Sequence, residues 1–161
     1  MSYQIKLVCC DVDGTLTDGK INIGPQGEIF KSFCVKDGLG IALAKDLGVK
    51  FAFITGRRSE ITEFRARELG IEEVYQGVRN KRDIVEKLKA KYQLDKDEVA
   101  YLGDDINDVV VKSAVGLFAV VGDGHPQAKN AADFVLESNG GEGAMRELLD
   151  RFVLGQSIEV M

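Results

Sequence analysis

Short apolar runs, each closed by a glycine-bearing or acidic turn and followed by a stretch with helical spacing, recur from one end of this chain to the other. Strands that alternate with helices make parallel sheets, because each helix supplies the crossover that returns the chain in the same direction. The first run spans residues 5–10 and includes Ile5, Leu7, Val8, Cys9 and Cys10. Residues 20–34 then break the pattern. Lys20 to Ile23 and Glu28 to Phe33 alternate with period two on either side of Gly24-Pro25-Gln26-Gly27, which predicts a β-hairpin. Beyond it the pattern predicts a helix at about 37–47, the strand Val49–Ile54, a helix at about 59–69 closed by Gly70, and a short strand near 72–76. A helix at about 80–92, the strand Val99–Leu102, a helix at about 106–114 and a strand at 115–121 follow. A helix at about 125–131, a short strand near 133–136 and a helix at about 143–154 complete the alternation. The expected fold is one doubly wound, Rossmann-like α/β domain over residues 1–161, with the hairpin at about 20–34 projecting from it and a tail at about 155–161.

A chain of 161 residues can bury one substantial core and is short for two. Its net charge of −5 argues against a nucleic-acid or anionic-membrane partner, which would need clustered Lys and Arg. No apolar run approaches the ~18 residues needed to span a bilayer, and no basic-then-apolar leader precedes the first strand, so a cytoplasmic setting is expected. Three cysteines, two of them adjacent, do not form a disulfide framework, and Cys9 and Cys10 read as small core residues.

The chemistry gathers at the strand exits. Asp11-Val12-Asp13-Gly14-Thr15-Leu16-Thr17 follows the first strand, and Thr55-Gly56-Arg57 follows the second. Gly77 lies beyond the third, with Lys81 opening the next helix, and Gly103-Asp104-Asp105-x-Asn107-Asp108 follows the fourth. In an open α/β sheet these exits line one crevice, the place where ligands bind. Two carboxylates two residues apart repel each other unless a cation or a reaction uses them. Hard oxygen donors suit Mg²⁺. A lysine and backbone N–H groups can offset the charge of a transferring phosphoryl group while a carboxylate serves as nucleophile. Hydrolysis of a phosphate monoester calls for such a combined site, since the uncatalysed reaction is among the slowest known.

Plainer readings compete at each position. Asp-x-Asp-Gly also opens calcium loops, but the third ligand of that loop is missing and a strand precedes the pair. Asp104, Asp105 and Asp108 could cap a helix, yet capping does not account for three of them. Thr55-Gly56 alone would be a strand-to-helix turn, and Lys81 alone a solvated helix residue. His125, followed by Pro126, reads as a helix start, and Gly38-x-Gly40 lacks the rest of a dinucleotide fingerprint. A receiver-type signalling module also combines an Asp cluster, a Thr and a Lys. It has no acid/base two residues after its phosphorylated Asp, which is the position Asp13 holds here.

Taken in order, Asp11 to Gly19, Ile54-Thr55-Gly56-Arg57, Lys81 and Gly103-Asp104-Asp105-x-x-Asp108 resemble the four motifs of the haloacid dehalogenase superfamily. Phe33 to Ile41, Tyr75-Gln76-Gly77, Asn80-Lys81, Gly140 to Glu147 and Gln156-Ser157-Ile158 are similar to its small capless phosphatases acting on 3-deoxy-D-manno-octulosonate 8-phosphate (KDO 8-phosphate). The resemblance implies a phosphatase serving lipopolysaccharide sugar synthesis, with a nine-carbon 2-keto-3-deoxy sugar-acid 9-phosphate as the alternative substrate. It implies that Asp11 is the nucleophile, Asp13 the acid and base, Thr55 a phosphoryl hydrogen-bond donor and Lys81 the charge-offsetting cation. Mg²⁺ is implied on Asp11, Asp104 and the backbone carbonyl of Asp13, with Asp105 and Asp108 orienting Lys81 and the waters of the metal. The segment Cys34, Val35, Lys36, Asp37 and Gly38, with Thr55, Gly56, Arg57, Arg65 and Lys81, is implied in substrate binding. The sequence carries Cys34 where an Asn is common in that family and Ala42 where an Arg can occur. A homotetramer with packed hairpins is implied too, with the Gly140–Ala144 stretch and the tail as candidates to reach a neighbouring site.

Overall fold

The structure is a computed structural model and describes residues 3–155. Six strands pair in parallel: β1 (Leu7–Cys10), β4 (Lys50–Ile54), β5 (Glu73–Tyr75), β6 (Val99–Gly103), β7 (Leu117–Val120) and β8 (Phe134–Val135). Between them come the hairpin β2 (Asn22–Gly24) and β3 (Gly27–Phe30), then α1 (Val35–Asp46), α2 (Glu60–Glu68), α3 (Lys81–Tyr92), α4 (Pro126–Ala131) and α5 (Ala144–Leu149).

Period two along the central strands decides which helices cover which face. Val8, Cys10, Phe51, Phe53, Ala100 and Leu102 point to one side, against Ile41 and Ala44 of α1, Ala66 of α2 and Met145, Leu148 and Leu149 of α5. Their neighbours Leu7, Cys9, Ala52, Ile54, Val99 and Tyr101 point to the other, against Val85 and Leu88 of α3 and Ala128 of α4. Both faces are therefore dry, which is why these strands read as continuous apolar runs. Each fully buried Leu or Phe contributes about 1.5–3 kcal/mol of burial energy, so truncating Leu88 alone would cost a few kcal/mol.

The strand order is β5-β4-β1-β6-β7-β8. From β1 the chain winds outward through β4 to β5, then returns past β1 to β6 and winds the other way. The reversal lies between β1 and β6, the crevice where this architecture binds ligands. Cys10 pairs with Leu102, and the Asp11 N–H extends the ladder to the Leu102 carbonyl at 3.1 Å. Asp11 and Asp104 thus leave adjacent strands side by side.

Three local departures from the sequence pattern have physical causes. Ile106–Ala114 winds as a 3₁₀ helix where an α-helix was expected. Its Asp108 carboxylate folds back onto the N–H groups of Asp104 and Asp105, and the β-branched run Val109-Val110-Val111 favours the α-helix little. The final helix is α only over Ala144–Leu149 and widens to a π turn over Asp150–Leu154. The hairpin strands are shorter than residues 20–34, because residues 31–34 leave the ladder to enter α1. The hairpin turns through Pro25-Gln26 and leaves Ile21, Ile23, Ile29 and Phe30 exposed. Gln156-Ser157-Ile158 and the rest of the tail after Gly155 lie outside the described residues. No helix among those described is long and apolar enough to cross a membrane.

Candidate active site

Three carboxyl groups meet where β1 and β6 part. Oxygen atoms of Asp11, Asp104 and Asp108 lie within 4.8 Å of one another. Asp11 is buried, and its Oδ1 accepts from the Val12 N–H at 2.8 Å. Burial, and then the Asp108 charge, push its carboxyl up to about 6. Asp104 goes further, to about 9, through burial and a hydrogen bond shared with Asp11. Two crowded acids sharing a proton mark a place where a cation would relieve the repulsion. The donors are all oxygen, with no His or Cys among them, so a hard divalent ion fits.

Asp108 does different work. Its Oδ1 accepts from Lys81 Nζ at 2.7 Å and from the Tyr101 hydroxyl at 2.6 Å, while Oδ2 accepts from the N–H groups of Asp104 and Asp105 at 2.9 and 3.2 Å. These four donors leave it little capacity for a metal. It anchors Lys81 instead. Lys81 is 1% exposed, with Nζ 3.2 Å from Asp11 Oδ1. Burial works against its charge, but Asp11 and Asp108 outweigh burial and raise its pKa. A charged ammonium therefore sits against Asp11, the carboxylate that the resemblance implies as nucleophile. Asp105, by contrast, is exposed and caps the 3₁₀ helix through the Ile106 N–H at 2.7 Å. Of the two, Asp108 is the one that bonds Lys81.

The turn after β1 requires its glycine. Gly14 has φ +86, and a Cβ there would lie 2.0 Å from Asp104 Oδ2. Thr15 Oγ1 donates to Asp104 Oδ1 at 3.3 Å. Gly140 packs against this turn so closely that a Cβ would stand 1.9 Å from the Gly14 carbonyl oxygen, and the Gly141 N–H reaches the Thr15 carbonyl at 3.3 Å. The Gly140–Ala144 stretch, a candidate to reach a neighbouring subunit, thus backs the chain's own acidic loop.

Thr55 leaves β4 buried, and its Oγ1 accepts from the Arg57 N–H at 3.3 Å, so its own O–H is free to donate. Gly56 is exposed, and a side chain there would meet only the Val78 carbonyl. Asp13 is partly exposed, and its Oδ1 accepts from Lys31 Nζ at 2.5 Å. Sequence reasoning missed Lys31, Glu28, Ser59 and Tyr101. Of these only Tyr101, a polar tip inside an apolar strand, carried a signal that it would need a buried partner.

The residues expected to bind substrate separate into groups. Arg57 reaches Glu28 with Nη2 at 3.6 Å, while its Nη1 is buried without a partner. Arg65 lies over the Phe33 ring, pairs with Glu68 at 3.6 Å, and owes its room to Gly38, where a Cβ would approach within 3.0 Å of Nη2. Asp37 turns inward, and its Oδ1 accepts from the Arg146 N–H at the start of α5 at 2.8 Å. Burial, only partly offset by that bond and the two arginines, raises its carboxyl to about 6. Within this chain Asp37 is a helix-joining residue. Val35 and Lys36 stand exposed on the first turn of α1, and Cys34 precedes it with no side-chain capping bond. His125 caps α4 through the Gln127 N–H, a helix start as expected.

Known proteins resemble this chain over most of its length. A model of the haloacid dehalogenase-like hydrolases matches residues 61–148. The 3-deoxy-D-manno-octulosonate 8-phosphate phosphatase of Yersinia pestis is 43% identical over 153 residues, covering 95% of this chain and 82% of the relative. Its crystal structure superposes with a TM-score of 0.89 over 92% of this chain and 80% of that one. The phosphatase of Moraxella catarrhalis, in a structure with a magnesium ion, a phosphate ion and KDO, is 37% identical with a TM-score of 0.89, covering 92% of this chain and 86% of that one. A cobalt-bound form from Haemophilus influenzae is 39% identical with a TM-score of 0.89, covering 92% of this chain and 86% of that one.

Proposed function

The chain belongs to the haloacid dehalogenase-like hydrolases and, among them, to the KDO 8-phosphate phosphatases; from that premise we propose that it cleaves the 8-phosphate ester of KDO through a phosphate carried on Asp11. The observation that carries the chemistry is the buried Lys81 ammonium, clamped between Asp11 and Asp108 and beside Asp104. It offsets charge on the phosphoryl group where an acidic pocket alone would repel it. Asp11 attacks phosphorus along the line of the bond that breaks. Asp13 gives a proton to the departing C8 oxygen, then takes one from the water that cleaves the phosphate from Asp11. Thr55 offers its free O–H to a phosphoryl oxygen.

Asp11, Asp104 and the Asp13 carbonyl would hold Mg²⁺. When bound, the ion supplies electrostatic stabilisation of the phosphoryl oxygens and keeps Asp11 ionised. Arg57 and Arg65 suit the sugar carboxylate, since a guanidinium can grip it with two parallel hydrogen bonds. The unpartnered Nη1 of Arg57 and Nε of Arg65 support this role. Cys34, Val35, Lys36 and Gly38 border the same end of α1. We place the enzyme in the cytoplasm, supplying a lipopolysaccharide sugar.

A homotetramer is the assembly we propose. The exposed Ile21, Ile23, Ile29 and Phe30 of the hairpin support it, because solvent rarely faces so many clustered apolar residues without a partner. Phe30→Glu with Ile23→Glu is expected to lower the mass seen by light scattering, and an unchanged tetramer, or a wild-type monomer, counts against it. The decisive assay is phosphate release with Mg²⁺ from a panel of eight- and nine-carbon 2-keto sugar-acid phosphates. KDO 8-phosphate should be turned over fastest. Rates no better than those on generic sugar phosphates would sink the substrate assignment.

A further inference from the structure

We propose that Lys31, reaching in from the end of the hairpin, positions the Asp13 carboxyl for proton transfer, and that Glu28 and Ser59 hold Lys31 in place. The Lys31 side chain is 2% exposed, although lysine is among the residues least often buried. Its Nζ lies 2.5 Å from Asp13 Oδ1 and 3.0 Å from Glu28 Oε2. The other Glu28 oxygen accepts from Ser59 Oγ, and Ser59 caps α2 through the Ile61 N–H at 3.2 Å. The Gln76 side-chain oxygen holds the Ser59 N–H at 2.6 Å, and Arg57 Nη2 approaches Glu28 at 3.6 Å. A continuous polar chain therefore runs from Asp13 through β3 to the loop after β4. It ties the two loops that flank the phosphate pocket, and it does so within one subunit.

The arrangement has a direct chemical consequence. With Oδ1 occupied by Lys31, Oδ2 is the Asp13 oxygen left to carry the transferable proton. As the Asp11 oxygen bonds to phosphorus, the bond between phosphorus and the leaving oxygen breaks, and the Oδ2 proton passes to that oxygen. Without Lys31 the Asp13 side chain, partly exposed at the pocket mouth, rotates among its staggered positions and spends less time aimed at the leaving group. Lys31 touches neither substrate nor metal ligand side chains in this scheme, so it is a positioning residue. Its closest kin in the fold is the hairpin itself, which thereby serves the catalytic loop as well as any assembly.

The inference rests on the phosphatase reading, and its test separates the two. The value of kcat/KM is measured for an alkyl phosphate that the wild-type enzyme hydrolyses and for 4-nitrophenyl phosphate. Nitrophenolate departs without a proton, so only the alkyl substrate depends on a well-aimed acid. For Lys31→Met the alkyl-to-aryl ratio of kcat/KM should fall about tenfold or more, a fraction of the 10²–10⁴ that general acids contribute. Lys31→Arg should recover most of the ratio, and Glu28→Gln should lower it by a smaller factor. A merely structural lesion lowers both substrates alike, so an unchanged ratio in Lys31→Met overturns the proposal, as does failure of Lys31→Arg to recover it. Should Lys31→Met not fold, as judged by circular dichroism, Lys31→Gln and Glu28→Gln carry the same criterion. If wild type turns over other sugar phosphates but not KDO 8-phosphate, the substrate assignment falls while the ratio test proceeds on those phosphates.

Discussion

Removing divalent cations should make this protein less stable as the pH rises, with a slope set by the proton that Asp11 and Asp104 share. In the folded chain burial and the hydrogen bond with Asp11 raise Asp104 from 3.8 to about 9, while burial and Asp108 raise Asp11 to about 6. Folded carboxyls with raised pKa values bind protons that the unfolded chain has already released. Their stabilising contribution is complete below about pH 4 and is lost as the pH climbs through the folded values. Between pH 6.5 and 8.5 Asp37, near 6, has largely finished titrating, and the coupled pair of Asp11 and Asp104 keeps one extra proton. One proton corresponds to about 1.4 kcal/mol per pH unit, so the window costs at most about 3 kcal/mol, less where water reaches the partly exposed Asp104. Against a total of about 5–15 kcal/mol that is a large fraction.

The assay is urea unfolding in a metal chelator at pH 6.5, 7.5 and 8.5, with the midpoint followed at constant m. The midpoint should fall with each step. Saturating Mg²⁺ should flatten the slope, because the cation takes the place of the shared proton, and at a hundred times its Kd should add about 2.7 kcal/mol. Asp104→Asn should abolish the slope in chelator. Metal-free stability that is flat or rises across the window, or a slope that Mg²⁺ leaves unchanged, refutes the reasoning about the acidic pair.

Gly14→Ala should cut kcat at least about a hundredfold, since the new methyl would stand 2.0 Å from Asp104 Oδ2 and must displace it. The accompanying strain at φ +86 should cost only about 1–2 kcal/mol, so a folded but nearly inactive protein is the expected outcome, checked by kinetics alongside thermal unfolding. Tyr101→Phe removes one of the donors to the buried Asp108 and should lower stability by about 1–3 kcal/mol, measured by urea unfolding, with a modest fall in kcat. Asp13→Asn should abolish steady phosphate release, and an unchanged rate in that variant contradicts the proton-transfer role.

The fold was legible because its signals are local. Apolar runs such as Leu7–Cys10 and residues 51–54 are bounded by turns, and a strand buried on both faces needs no finer pattern to be recognised. Where local and tertiary preferences diverge, the pattern misleads. Residues 106–114 have the spacing of an amphipathic helix, yet the Asp108 carboxylate folds back onto the N–H groups of Asp104 and Asp105 and the segment winds as a 3₁₀ helix. For Asp37 the resemblance implied a substrate contact; in the fold its Oδ1 accepts from the Arg146 N–H more than a hundred residues away, a bond no local pattern announces.

The catalytic candidates were legible for a different reason. Asp11, Thr55, Lys81 and Asp104 each stand at a strand exit or helix start, so parallel topology alone brings them to one edge of the sheet. What supports them arrives from no such position. Lys31 lies in an irregular return, and nothing in Glu28-Ile29-Phe30-Lys31 tells an ion pair with Asp13 from a solvated charge. Gly140-Gly141 entered the reading only through the family resemblance, yet only glycine lets it press against the Gly14 and Thr17 carbonyls. Gly14 in turn leaves the space that Asp104 fills. The three segments therefore form one unit, in which the glycine far from the acids limits how far the acidic turn can shift. A side chain at position 140 should then disturb Asp104 without touching it.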